Sequence, residues 1–388
     1  MENTTGMRVS LVDLGSTYRE YEDELVAAFR HVLRGGQYIL GPEIETFEAL
    51  VARWLGSSHC VAVSSGTDAL LAALLALQIG PGDEVITSPL TFVSTAEAIL
   101  RVGAIPVFAD VCPRCLCLDP SSVATQLNPR TRAIIPVHLY GELGHVEELV
   151  TLARAHGTFL IEDACQAFGS ETPSARKAGT LGGIGCFSFF PTKILGAIGD
   201  AGLLCTDDAT WADRLRSLRS HGRTNKHRFS RLGGNFRIDA LHAALLKVLM
   251  HRVDGWISTR STIAKEYTKA LSATPGITTP STCTNGNRAW SVYTIRVHQH
   301  RDKLARYLRA AGIETGIYYP TTLADQPLFK GVVPASVSLE QARLAARQVL
   351  SLPIHPGMTC TSQTLVVQRI RDYLDAEKSI HAHDQHII

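Results

Sequence analysis

Short apolar runs, each followed by a stretch with helical spacing, recur along the first half of this chain. Val61-Ala62-Val63 precedes an apolar helical pattern at 68–78, and Val85-Ile86-Thr87 precedes another at 94–102. Further strand-like runs fall at 105–109, 133–137, 158–161, 186–190 and 202–205, with a helical pattern at 146–156. The runs are continuous rather than alternating, as expected of strands buried on both faces of a mainly parallel sheet. Repeated strand–helix alternation predicts a doubly wound α/β domain. Two helices, at 21–33 and 43–55, precede it, broken by Gly35-Gly36-Gln37-Tyr38-Ile39-Leu40-Gly41-Pro42.

After Asp239 the texture changes. A long helical stretch is expected over 239–268, then a loop rich in Thr, Pro, Gly and Asn over 272–286. A strand at 291–297 and helices at 301–311 and 339–350 complete a smaller α+β unit. At 388 residues the chain exceeds one ordinary core. The expected division is a large domain with an N-terminal arm over 1–250 and a small one over 251–388. The His-rich tail, 379–388, is expected to fray.

Composition excludes several function classes. The net charge of +2 gives no expectation of nucleic-acid or acidic-membrane binding. No apolar run is long enough to span a bilayer. The first residues, Met1-Glu2-Asn3-Thr4-Thr5, lack the basic and apolar regions of a secretory signal. Nine cysteines are an odd number for a disulfide framework, and a reducing cytoplasm is the expected setting. Cys112, Cys115 and Cys117 form a tight cluster, but no Cys or His pair with clean metal spacing follows nearby. The sequence reading is therefore a solvent-facing or half-buried loop with no metal.

Open α/β sheets bind ligands beyond the carboxyl ends of their strands. Four features fall there. Ser64-Ser65-Gly66-Thr67-Asp68 follows a strand and opens an apolar helix. Its free N–H groups and dipole suit a phosphate, although the same residues also suit an ordinary cap. Ile161-Glu162-Asp163-Ala164 ends a strand too apolar for the surface. A carboxylate there needs a cationic partner, which a helix end, a structural ion pair or a protonated pyridine nitrogen would provide. Lys193 follows Phe187-Ser188-Phe189-Phe190-Pro191-Thr192 and precedes a glycine-rich stretch. Most lysines are solvated, but a desolvated one becomes a nucleophile or base. Phe92, just past a strand, could stack on a flat ring or simply fill the core. Taken together, the four supply a phosphate cradle, a ring-nitrogen carboxylate, a Schiff-base lysine and a stacking ring. Pyridoxal phosphate needs that inventory.

The order and wording of these segments resemble the pyridoxal-phosphate-dependent nucleotide-sugar aminotransferases of the DegT type. The likeness runs from Gly36-Gln37-Tyr38-Ile39-Leu40-Gly41-Pro42 to Leu350-Ser351-Leu352-Pro353-Ile354. It includes Gly82-Asp83-Glu84-Val85-Ile86 and Pro136-Val137-His138-Leu139-Tyr140-Gly141. The resemblance implies a fold-type-I transferase with large and small domains, acting as a homodimer. It implies that Lys193 carries the cofactor, Asp163 pairs with the pyridine nitrogen, Phe92 stacks on the ring and Gln166 approaches the 3-hydroxyl. Ser65, Gly66, Thr67 and Ser188 would hold the phosphate, and Asn235 would reach the partner subunit's phosphate. Tyr318, Tyr319 and His221 are the candidates for touching substrate.

The resemblance also implies an amino donor, usually glutamate, and a nucleotide-linked keto-sugar acceptor. Relatives with His in place of the lysine are dehydratases, so Lys193 opposes that reading. Relatives acting on 3-keto sugars tend to read Gly-x-x-Gly-Asp-Gly-Gly after the lysine, and those acting on 4-keto sugars Gly-Glu-Gly-Gly. Gly196-Ala197-Ile198-Gly199-Asp200-Ala201-Gly202 leans to the 3-keto group. A 4-keto-sugar aminotransferase and a non-catalytic regulatory protein on the same fold are the rivals. Departures from the pattern are Cys165 for Ala, Tyr318 and Ala324 for His, and His242 for Gln.

Overall fold

In the computed structural model, which describes residues 8–332 and 338–384, seven strands form the central sheet. They are β1 (His59–Val63), β2 (Glu84–Thr87), β3 (Ile105–Phe108), β4 (Thr131–Ile135), β5 (Phe159–Asp163), β6 (Ile184–Ser188) and β7 (Gly202–Thr206). Their order is β1-β7-β6-β5-β4-β2-β3. Only β7 runs against its neighbours, β1 and β6; the other pairings are parallel. The chain ends of β1, β2, β4, β5 and β6 therefore open on one edge, where the ligand-binding crevice of such a sheet lies.

The continuous apolar runs do what their pattern demands. All four residues of β2 and all five of β7 are buried. One face of the sheet packs on the helix Gly66–Ala76, itself buried over most of its length. The other packs against Pro42–Leu55, Ala240–Met250 and the aromatic group Phe168, Phe187 and Phe189. Beyond β7, a hairpin of β8 (Arg223–Asn225) and β9 (Arg228–Phe229) is exposed.

The smaller sheet is antiparallel: β10 (Ile277–Thr278), β11 (Tyr293–Val297) and β12 (Val349–Leu352). Its core joins Tyr267, Tyr293, Leu304, Leu308, Val366 and Ile370. Val9 enters the same core and bridges Ile313.

Several sequence expectations need correction. The helix expected over 239–268 is two, Ala240–Met250 and Val253–Leu271, because the chain turns at His251 and Arg252. The 339–350 helix stops at Gln348, and Val349 begins β12, because the apolar run completes the small sheet. The loop expected over 272–286 contains the short β10. The helix Cys360–Asp384 was not anticipated; it covers the tail through Asp384, and 385–388 lie outside the described residues. The cysteine cluster is not solvent-facing: Cys112, Cys115 and Cys117 are all buried.

Candidate active site

A cavity of about 520 Å³ opens at the strand-end edge. Its wall includes Ser65, Gly66, Thr67, Phe92, Asp163, Gln166, Ser188, Lys193, Tyr318 and Tyr319. Ten of the twelve residues singled out from the sequence thus meet at one place. Asn235 and His221 do not line it. Both are exposed and lie side by side, His221 in the turn after the helix Ala209–Leu218 and Asn235 after the β8–β9 hairpin: His221 N–H donates to Gly234 O and Asn235 bridges Ser220.

Each side chain is placed by a local rule. Ser65 leaves β1 in extended geometry and caps the following helix, its Oγ accepting from Asp68 N–H at 3.0 Å. The N–H groups of Gly66 and Thr67 lie in the first turn, where a helix leaves its donors without intrahelical partners, and both residues line the cavity. A side chain at position 66 would not fit: a Cβ there would lie 2.7 Å from Ser188 Cβ and 2.9 Å from Cys165 Sγ. Glycine is needed at this point because β6 and the 165 turn press against the helix start. The same close approach leaves backbone donors open to a phosphate.

Glu162 and Asp163 are neighbours with opposite fates, because successive strand residues point to opposite faces. Glu162 is fully buried on one face. Its Oε1 accepts from Leu181 N–H and Gly182 N–H, each at 2.6 Å, and its Oε2 accepts from Gly179 N–H at 2.8 Å. His138 Nε2 lies 2.8 Å from Oε2. Asp163 faces the cavity. Its Oδ2 accepts from Thr95 Oγ1 at 2.7 Å and its Oδ1 from Cys165 N–H at 3.2 Å. Thr95 in turn lies 3.1 Å from Thr91 Oγ1.

Lys193 follows β6 in a turn closed by its own N–H to Phe190 O at 2.8 Å. Burial lowers its pKa, opposed by the nearby Cys165 and Asp163. A lysine amine held this way is more readily deprotonated, hence nucleophilic. Burial, reinforced by Asp163, pushes the Cys165 thiol well up, so it stays neutral. Burial also raises Tyr319, with Asp163 contributing in the same direction.

On the far wall, Gln166 Oε1 accepts from Tyr140 N–H at 3.0 Å, and its Nε2 donates to the Tyr319 hydroxyl at 3.4 Å. The Phe92 ring is half-exposed, its centroid 6.3 Å from that of Tyr319. Sequence reasoning missed Thr95, a buried residue inside a helix pattern with no motif to mark it. It also missed Leu11 and Val12, which reach the cavity from the chain start, and Ser291 and Val292 from the small sheet. His242, off-pattern in the sequence, accounts for itself. Its Nδ1 lies 2.8 Å from Asp239 Oδ2 and its Nε2 donates to Ile198 O at 3.1 Å, tying a helix start to the loop that carries Asp200 into the cavity wall.

The site is lopsided: a desolvated amine and a carboxylate share one small space, beside a glycine-lined helix start with open donors. That combination suits one cofactor, pyridoxal phosphate, whose aldehyde, ring nitrogen and phosphate could be met by Lys193, Asp163 and the 65–67 turn. With the sheet order described above, fold and site define a pyridoxal-phosphate-dependent aminotransferase of fold type I.

The chain belongs to the DegT/DnrJ/EryC1/StrS aminotransferase family, whose model matches residues 19–371. It is 40% identical over 368 residues to a dTDP-3-amino-3,4,6-trideoxy-alpha-D-glucose transaminase of Streptomyces venezuelae, covering 95% of this chain and 97% of that one. It is 37% identical to a UDP-2-acetamido-2-deoxy-3-oxo-D-glucuronate aminotransferase of Pseudomonas aeruginosa, covering 92% and 98%. Among solved structures, S. venezuelae DesV in complex with a ketimine intermediate superposes with a TM-score of 0.91 at 40% identity, covering 94% of this chain and 98% of that one.

Proposed function

We propose that this aminotransferase moves an amino group, from glutamate or a similar donor, to C3 of a nucleotide-linked 3-keto sugar. The observation that carries the choice of C3 is the run from Gly196 to Gly202, whose Asp200 lines the same cavity as Lys193. Support comes from two relatives whose names specify a 3-amino and a 3-oxo sugar.

Bound pyridoxal phosphate supplies an electron sink for charge developing at the carbon that bears the amine. Lys193 would hold the cofactor through Nζ, and the same amine, when free, would carry the proton to and from that carbon. Asp163, held by Thr95 and the Cys165 N–H, keeps the ring nitrogen protonated. Ser65, Gly66, Thr67 and Ser188 hold the phosphate, Phe92 covers one ring face, and Gln166 meets the ring hydroxyl. Tyr318 and Tyr319 border the sugar. The chain works as a cytoplasmic homodimer in which Asn235 and His221 serve the partner's site, consistent with their place outside this chain's own cavity. The large and small domains divide at residue 250. No helix among the described residues is long and apolar enough to cross a membrane.

The test is a panel of nucleotide-linked 3-keto and 4-keto sugars added to the amine-loaded enzyme, with products assigned by NMR. A 3-amino product is expected. Turnover of the 4-keto sugars alone refutes the C3 assignment. Lys193→Ala should abolish both the bound-cofactor absorbance and transamination; full activity in that variant refutes the site.

A further inference from the structure

Folding brings to the cysteine cluster two residues that sequence spacing does not mark. Cys283 and His145 both arrive at Cys112 and Cys115, and one ligand atom from each of the four lies within 4.8 Å of the other three. We propose that these four residues bind a structural zinc ion that fastens the 279–287 loop, from the small-sheet half of the chain, to the large sheet.

The spacing of the sulfurs fits. Cys112 Sγ and Cys283 Sγ are 3.7 Å apart. A tetrahedron with Zn–S bonds of ~2.3 Å places its sulfurs ~3.8 Å apart, whereas a disulfide needs about 2.0 Å. The first two ligands sit in a Cys-x-x-Cys turn, a spacing typical of structural zinc. Cys112 N–H donates to Cys117 O at 2.8 Å, and Leu116 N–H donates to Cys112 O at 2.9 Å. Leu116 takes a φ of 63° to close this turn.

The other two ligands are held from behind. His145 Nδ1 lies 2.8 Å from Glu148 Oε1, which leaves Nε2 for the metal. A carboxylate behind a metal-binding histidine fixes both its tautomer and its orientation. Cys283 is delivered by a loop pinned at three points. Ser281 Oγ donates to Arg114 O at 2.8 Å, while Thr282 Oγ1 and Cys283 N–H donate to the buried Glu142 Oε1 at 3.1 and 3.3 Å. Cys117 is not a ligand: its thiol donates to Glu142 O at 3.3 Å. Four protein ligands leave no open position, so the ion would be structural rather than catalytic. Its place matters to the cavity, because the cluster packs with Tyr140, Tyr318 and Tyr319.

The experiment uses the full-length holoenzyme, produced in zinc-supplemented medium and desalted under reducing conditions. Elemental analysis should find one zinc per chain. Exchange with Co²⁺ should give the intense thiolate charge-transfer and visible bands of a tetrahedral site. Cys283→Ser and His145→Ala should lose most of the zinc, Glu148→Ala should weaken binding roughly tenfold, and Cys117→Ser should keep it. The bound-cofactor absorbance reports whether each variant folds. If the cysteine variants do not fold, the wild-type zinc count and cobalt spectrum decide. Wild-type protein that holds no zinc and takes up no cobalt overturns the proposal. So does a Cys112–Cys283 disulfide in the freshly isolated protein, or equal metal loss from Cys117→Ser and Cys283→Ser.

Discussion

Glu162 and Asp163 allow one perturbation to be read against its neighbour. In Glu162→Gln the shape is kept and one carboxylate oxygen becomes an amide NH₂. The remaining oxygen can keep Leu181 and Gly182, but the NH₂ then confronts the Gly179 N–H, donor against donor. Leaving that buried N–H unmet costs about 1–3 kcal/mol, and each charge-assisted bond made neutral loses about 1 kcal/mol more. The total is roughly 3–5 kcal/mol. Asp163→Asn should behave oppositely. At the cavity face it should change stability by only about 1 kcal/mol, since the amide oxygen can keep the Cys165 N–H while its NH₂ donates to the Thr95 hydroxyl, which can turn to accept. It should instead cripple transamination, because a neutral amide no longer keeps the ring nitrogen protonated. Urea unfolding of the cofactor-free proteins, followed by tryptophan fluorescence, gives both stabilities; cofactor absorbance and steady-state rates give the rest. If Glu162→Gln costs less than about 1 kcal/mol, or Asp163→Asn destabilises more than Glu162→Gln, the division of labour argued from strand alternation is wrong.

Two further outcomes follow from ionisation. Lys193 has its folded pKa depressed below the ordinary 10.5 by burial, so between those values the unfolded chain binds the extra proton and stability rises with pH. Lys193→Met should therefore be more stable than the cofactor-free wild type at neutral pH, with the gap closing as pH climbs toward 10.5. A less stable variant in thermal melts would contradict the burial argument. His242 is the reverse case: its hydrogen bond to Asp239 raises its pKa above 6.5. Its stabilising contribution is complete below 6.5 and is lost as pH rises through the raised value. His242→Gln should flatten that decline, read as melting temperature against pH; an unchanged slope would show that the Asp239 pair contributes nothing.

The sheet strands were legible because a strand buried on both faces must be apolar throughout, and runs such as Val61-Ala62-Val63 have no other use. Lys193, Asp163 and the 65–67 turn were legible because each lies at or just beyond a strand end, where a sheet of this class gathers the residues that face its crevice. Helix breaks were less so: the turn at His251 and Arg252 carries no Gly or Pro, and the apolar run at 349–352 could serve a helix or a strand until β11 offered an edge. Thr95 could not be found, since its worth lies in one oxygen 2.7 Å from Asp163, set by packing and not by any local pattern.

By itself, then, the order of residues determined the alternating α/β plan and set Lys193, the Glu162–Asp163 pair and the capped helix start at 65–67 at or beyond strand ends, because periodicity and local capping act over a few residues. Tertiary structure alone decided which of two adjacent carboxylates faces the cavity, which hydroxyl holds it, and that Cys283 comes to rest 3.7 Å from Cys112. Those outcomes depend on contacts between residues far apart in the chain, and only the closed fold specifies them.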